Sequence, residues 1–449
     1  MRLRLLDDYK SLLRLGLPVL VTQVGVIVVS FADTMMVGSY GTPQLAAAAF
    51  VNSLFLVGIV LMFGFAGGIT PLVGAAFGRD DEKDAGTIMR TGMILNILLS
   101  AGLTLLMGGL YFLLPWMGQE ESLLPLIRSY YRIILLTMIP MAVFNCCQQT
   151  ANGLTDTATP MWIMLGGNIL NIIGNYMLIF GRCGAPELGL DGAGISTLTV
   201  RWLMAAAIVA EFAMRRRYGA VRRGCMAKTP RGLYGKVWRT SYPIMVQSGV
   251  ECMLWSFGAV VCGWFGALQL ASYQVVNTIG QLGFMIYMSF AVSSSIRVAN
   301  FTGVHDMEGV KRTALAGLNI IMTLATIASA FFLIAGKWIV SLFTSDPLVE
   351  AAAMPLIVPL VLYQYCDAVQ LNYANALRGT SEVKPLLWVS VISYIVIGIP
   401  VLLFLACTLD MGNIGVYYSF SAALLAAAVM LRYYFRKTVA RLERSCAAK

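Results

Sequence analysis

The chain has 449 residues, of which 58% are hydrophobic and only 12% charged, and its mean hydropathy is +0.76. Soluble domains carry about a quarter charged residues, so this composition excludes an ordinary water-soluble fold. The net charge of +10 would suit a nucleic-acid partner, but the basic residues cluster between apolar runs as membrane topology demands, and no nucleic-acid partner is expected.

Each apolar run is near the ~20 residues that cross a hydrocarbon core of ~30 Å. They predict twelve membrane helices, at 15–38, 46–77, 87–111, 125–150, 159–181, 190–214, 238–263, 270–300, 312–335, 350–376, 385–407 and 412–434. A membrane barrel needs short alternating segments, and these runs are too long and too evenly apolar for one. The fold class is an all-α polytopic membrane protein lying in a lipid bilayer.

Along the chain, a few polar residues interrupt these runs. The first, LGLPVLVTQVGVIVVSFADTMMVG, contains Asp33 and no basic residue to pair with it. The fifth, GGNILNIIGNYMLIFG, places Asn168, Asn171 and Asn175 at i, i+3 and i+7 on one helix face, with Asn175 at a depth similar to that of Asp33. The sixth carries Arg201, for which the sequence offers no role. In the seventh, YPIMVQSGVECMLW, Gln247 and Glu251 are four residues apart; in the tenth, LYQYCDAVQ, Tyr363 and Asp367 have the same spacing. The eighth adds a polar face of Gln274, Asn277 and Gln281.

Between the runs, basic residues alternate in density. Arg2, Arg4, Lys10 and Arg14 precede the first span, Arg79 and Lys83 follow the second, and a dense group from Arg215 to Arg239 separates the sixth from the seventh. Lys311 and Arg312 follow the eighth, Arg378 and Lys384 are placed between the tenth and eleventh, and the tail is basic. The opposite loops hold little beyond Arg182 and Lys337. By the positive-inside rule both termini face the cytoplasm, which requires an even number of spans, in a cytoplasmic (inner) membrane. No cleavable signal peptide is evident. The nine cysteines lack metal-type spacing and read as reduced packing residues, and the single His305 falls in a cytoplasmic loop. With no nucleotide loop, metal cluster or nucleophile–base pair, an enzyme is not expected.

An internal repeat runs through the chain at an offset of 225 residues. It pairs GTPQLA at Gly41 with GALQLA at Gly266, and matches Pro18 with Pro243, Asn52 with Asn277, Gly78 with Gly303, Asp81 with Asp306, Gly92 with Gly317 and Pro160 with Pro385. The expected organisation is an N-terminal lobe of six helices at 1–214, a basic cytoplasmic linker at 215–237, and a C-terminal lobe of six helices with a basic tail at 238–449. Pro18 and Pro243 each favour a kink, although membrane helices also carry proline with no mechanical role. Transporters use such repeats to form a site between halves.

An ionised side chain at mid-membrane costs ~2.5–3.5 kcal/mol on insertion scales, so Asp33, Glu251 and Asp367 need a reason. Each reads either as a functional acid or as a protonated structural carboxyl. The asparagine stripe reads either as part of a pocket with Asp33 or as glue between helices. Two carboxylates with a phenol and amide oxygens suit a proton or a hard cation such as Na+. None of the three acids recurs at the repeat offset, where Gly258, Val26 and Ala142 stand, so the acids were placed separately in each half.

These same segments resemble the multidrug and toxic compound extrusion (MATE) family, in particular its NorM-like branch, over essentially the whole chain. FADTMMVG is similar to the first-helix motif with the N-lobe aspartate, here Asp33; NIIGNYMLIFG to the fifth-helix motif, giving Asn171 and Asn175. PIMVQSGVE resembles the seventh-helix motif, giving Glu251, and YQYCDAVQ with ALRG the tenth-helix motif, giving Tyr363 and Asp367. SSSIRVAN resembles the segment ending helix eight. The resemblance implies twelve helices in two lobes around a central cleft. It also implies export of organic cations and amphipathic drugs in exchange for inward Na+ or H+, with no other cofactor. A chain acting as a monomer is expected. Archaeal and DinF-like relatives carry a second N-lobe acid where this sequence has Asn175. That departure favours a C-lobe cation site at Glu251, Asp367 and Tyr363 while leaving Asp33 as an N-lobe proton site. Gln247, Gln274, Asn277, Gln281 and Asn168 are the cleft-lining candidates. The alternatives are a flippase for lipid-linked precursors of the same superfamily, whose polyanionic cargo calls for a basic cleft, and an exporter of a specific metabolite.

Overall fold

The computed structural model describes residues 2–344 and 346–447, and all regular structure among them is helical. Among the described residues, twelve helices are long and apolar enough to cross a membrane. They are α1 (Leu6–Tyr40), α2 (Thr42–Gly78), α3 (Glu82–Tyr111), α4 (Leu124–Gly153), α5 (Ala158–Phe180), α6 (Gly189–Met214), α7 (Leu233–Trp264), α8 (Ala267–Gly303), α9 (Met307–Ser341), α10 (Pro347–Gly379), α11 (Lys384–Thr408) and α12 (Gly412–Cys446). Every predicted span is found. The helices outrun the apolar stretches, because hydropathy marks only the part in hydrocarbon whereas backbone hydrogen bonding continues into the polar ends. Arg378 is corrected on this ground: expected between the tenth and eleventh spans, it lies in the last turn of α10.

Four helices are irregular. A turn at Gly67–Gly68 breaks α2, and one at Leu136–Thr137 breaks α4. A 3-10 turn at Met354–Leu356 enters α10, and α11 contains a π-helical segment at Val391–Gly398. Irregular backbone of this kind is tolerated at membrane depth only where neighbouring groups satisfy it, and π segments concentrate at functional sites.

The duplication is legible in the backbone. Asp80 and His305 both adopt left-handed φ, of 57° and 60°. The next residues, Asp81 and Asp306, cap α3 and α9 by accepting from the amides of Asp84 and Gly309 at 3.0 and 2.9 Å. Such a cap satisfies a donor that the first turn leaves orphaned. Packing repeats as well. A Cβ on Gly153 would lie 2.8 Å from that of Val73, and one on Gly379 would lie 2.8 Å from that of Val298. Helix contact this close requires glycine in both copies.

The chain divides into two compact units, residues 21–245 and residues 1–20 with 246–449. Within 21–245, Ser241 near the start of α7 packs on Gly68 of α2. Within the other unit, Gly16 near the start of α1 packs on Phe290 and Ser293 of α8. Ser241 and Ser293 are the repeat counterparts of Gly16 and Gly68, so one contact is made twice, each time with the roles of glycine and serine exchanged. The start of α1 is further held by an ion pair of buried Asp8 with Arg312, and by Tyr9, whose hydroxyl accepts from Asn319 at 2.8 Å.

The basic stretch after α6 is ordered. A helix at Gly219–Met226 lies on α3 so closely that a Cβ on Gly86 would sit 2.0 Å from the carbonyl oxygen of Val221. Arg90 fastens its end by donating to the carbonyl of Ala227 at 3.0 Å. Just before this helix, Tyr218 donates its hydroxyl to Asp156, which also accepts from the amide of Thr159 at 3.2 Å and pairs with Arg217 at 3.1 Å. Burial, with Asp156 beside it, pushes the Tyr218 hydroxyl above its ordinary pKa.

Candidate functional site

In the unit spanning 21–245, Asp33 stands about two turns before the end of α1, half-buried. Asn175 of α5 donates to its Oδ1 at 2.5 Å and lies 3.4 Å from Oδ1 of Asn171. Asn171 in turn donates to the hydroxyl of Thr197 on α6 at 3.3 Å, and its carbonyl accepts from Ser196 at 3.1 Å. Both asparagines are buried. The predicted pairing of Asp33 with Asn171 and Asn175 is therefore present as a chain of side-chain contacts. Asn168, although on the same face of α5, belongs elsewhere: its amide abuts Gly25 at the α1–α5 crossing.

Arg201 also has a place. Its guanidinium, from α6, donates to the hydroxyl of Thr137, the residue at the break in α4. There it lies within electrostatic reach of Asp33 and of Tyr130. The carboxylate with no basic partner in its own helix thus has one from another helix.

In the second unit, α7 presents Gln247 and Glu251, and α10 presents Tyr363 and Asp367. Asp367 is 1% exposed, and neither carboxylate oxygen has a hydrogen-bond partner among the described residues. Oε1 of Glu251 is buried and unpartnered as well. The two acids lie within electrostatic reach of each other and of the Tyr363 hydroxyl. The ring of Tyr363 is held edge-on by Trp255 at 5.2 Å, and Trp255 packs on Phe420 at 4.3 Å.

Three further residues face this group. Arg378 donates to Oε1 of Gln247 at 2.9 Å and is within electrostatic reach of Glu251. The unpartnered hydroxyls of fully buried Tyr287 on α8 and Tyr394 on α11 lie within reach of Asp367. A signal for Arg378 existed: eleven residues are about three helical turns, so it shares a face with Asp367. Tyr394 was not readable, because it lies in the π-helical segment of α11, and Tyr287 sits among ordinary packing residues in FMIYMSFAV.

The polar face of α8 does not join the acids. Gln274 and Gln281 are exposed and Asn277 is half-buried, and no side-chain hydrogen bond ties them to the group among the described residues. No cluster of three His, Cys, Asp or Glu able to hold a metal occurs among the described residues. A cation at Glu251 and Asp367 would therefore take its remaining oxygens from neutral groups such as Tyr363. Hard oxygen donors of this kind fit Na+ and, equally, a shared proton.

A family model described as MatE matches residues 18–177 and 243–404. The multidrug resistance protein NorM of Vibrio cholerae serotype O1 is 27% identical over 452 residues, covering 98% of this chain and 99% of its own. The eukaryotic MATE transporter AtDTX14 has a similar fold, with a TM-score of 0.88 at 19% identity over 98% of this chain and 99% of its own. So does a MOP superfamily transporter from Pyrococcus furiosus with a binding pocket of reverse polarity, with a TM-score of 0.86 at 19% identity over 97% of each chain.

Proposed function

Because the chain belongs to the MatE family, we propose that it is a multidrug efflux transporter of the cytoplasmic membrane, exporting cationic and amphipathic compounds in exchange for Na+ or H+. The observation that carries this reading is Asp367, a fully buried acid with two unpartnered oxygens, near a second acid, half-buried Glu251, whose Oε1 is buried and unpartnered as well. Such a group is costly in a membrane unless a cation or proton joins it. With the acids ionised, a cationic substrate is attracted. When Na+ or H+ binds at Glu251 and Asp367, with Tyr363 assisting, that attraction is withdrawn and the substrate leaves. A ligand shifts a conformational equilibrium only by its differential affinity for the two states, so coupling requires that ion and substrate disfavour each other. Asp33, with Asn171 and Asn175, is the counterpart in the N-terminal half.

The multi-pass chain places both termini in the cytoplasm on this reading, and works as a transporter, not an enzyme. A lipid-linked precursor flippase is the rival. The Pyrococcus protein, of reverse pocket polarity, has a similar fold, so fold alone does not choose the polarity of the pocket. The unpartnered acids favour cationic cargo over a polyanionic headgroup. The test loads everted vesicles with a fluorescent organic cation and imposes Na+ and pH gradients separately. Dye movement driven by either gradient supports the reading; movement driven by neither rejects it.

A further inference from the structure

The three intramembrane acids differ in what compensates their charge. Asp33 has Arg201 within electrostatic reach, and Glu251 has Arg378. Asp367 stands eleven residues, about three turns, before Arg378 on the same helix, and none of the ion pairs among the described residues includes it; the like charge of Glu251 lies within its electrostatic reach. A buried ion without compensation is strongly unfavourable, so this inequality is chemically meaningful.

The placement of Arg378 is specific. One nitrogen is anchored on Gln247, one helical turn before Glu251 on α7, at 2.9 Å. Its Nε is buried and unpartnered, and so is Oε1 of Glu251. The guanidinium is thus held near the carboxylate without the two-pronged clamp that would take both carboxylate oxygens out of use. The unpartnered hydroxyl of Tyr394 stands within reach of Glu251, Asp367 and Arg378 together.

Resting on the antiport reading above, we propose that Arg378 is a positioning residue, the resident counter-ion of Glu251, and that it leaves Asp367 as the one uncompensated negative charge of the cluster. The group of two acids and one guanidinium then has room for one monovalent cation per cycle, and a divalent cation is disfavoured. Arg378 also keeps the site from holding its cation too tightly. At an effective dielectric of ~20, like charges ~10 Å apart weaken each other's binding by roughly tenfold or more, which sets the scale for a fixed positive charge near the site. An exchanger must release its ion every cycle, so this weakening favours turnover.

The experiment measures gradient-driven dye export by the full-length chain in everted vesicles, as a function of the concentration of the driving cation. In Arg378→Gln the half-saturating concentration should fall by about tenfold or more. The maximal rate should fall with it, and Ca2+ should begin to compete. Arg378→Lys, which keeps the charge, should restore the wild-type values. A half-saturating concentration that is unchanged or raised in Arg378→Gln overturns the proposal, as does a lysine variant that behaves like the glutamine one. If Arg378→Gln fails to accumulate in the membrane, the double variant Glu251→Gln, Arg378→Gln decides: recovery of the wild-type level supports the counter-ion role, and equal depletion overturns it. Wild-type vesicles driven by neither gradient sink the antiport reading itself, whereas driven wild-type export with an unaltered Arg378→Gln profile sinks only the role of Arg378.

Discussion

Asp367→Asn separates function from stability more sharply than any other single change. The two side chains are nearly isosteric, the site is 1% exposed, and neither carboxylate oxygen makes a hydrogen bond that the amide would lose. The substitution therefore removes no packing. It replaces a buried acid, whose charged form Glu251 makes more costly, with a neutral group of equal size. The expected stability change is at most about 1 kcal/mol in cost, because neither form has a hydrogen bond to lose and the amide never has to carry a charge. Cation binding loses a full charge at near contact. At ~4 Å and an effective dielectric of ~20 that is worth about 4 kcal/mol, or roughly a thousandfold in affinity. The combination is diagnostic: purified protein should melt near the wild-type temperature, while gradient-driven dye export from everted vesicles falls to background. Export at the wild-type rate and ion dependence would refute the assignment of Asp367. A large fall in melting temperature would refute the claim that the carboxylate has no structural partner.

Other predictions probe the remaining contacts. Asn175→Leu removes the donor that sits 2.5 Å from Asp33, and hydrogen bonds to charged groups are worth about 1.5–3 kcal/mol, so the melting temperature should drop measurably. Gly86→Val drives side-chain atoms into the backbone of the Gly219–Met226 helix, where even a Cβ would lie 2.0 Å from a carbonyl oxygen. Trypsin should then cut at Arg222 and Arg223 in everted vesicles faster than in wild type. Asp156→Ala leaves the Tyr218 hydroxyl and the Thr159 amide without their acceptor, at a cost of about 1–3 kcal/mol, and should expose the same tryptic sites; unchanged digestion would mean that Asp156 does not hold the linker.

How far the sequence could be read depended on the kind of interaction. Span positions follow from transfer of side chains into hydrocarbon, a property of composition along the chain, and all twelve were legible. The repeat was legible because glycine and N-cap aspartate are required by local geometry in both copies, as at Asp81 and Asp306. Asp33, Glu251 and Asp367 stood out because a charge in an apolar run is conspicuous. Helical spacing brought Asn171 and Asn175 forward together with Asn168, which shares their face but packs on Gly25 instead. Periodicity reports the direction in which a side chain points, not what stands opposite.

What stands opposite was decided by the tertiary structure alone. Arg201 lies within electrostatic reach of Asp33 while it donates to the hydroxyl of Thr137, at the break in α4 in another part of the chain. Arg378 looked like a topological charge until its own helix proved three residues longer than its apolar run. Tyr394 enters the acid group through a π-helical segment of α11 that no residue spacing announces. Hydropathy acts residue by residue and survives in one dimension. Compensation of a buried charge is an interaction between residues far apart in sequence, and its partners exist only once the helices have packed.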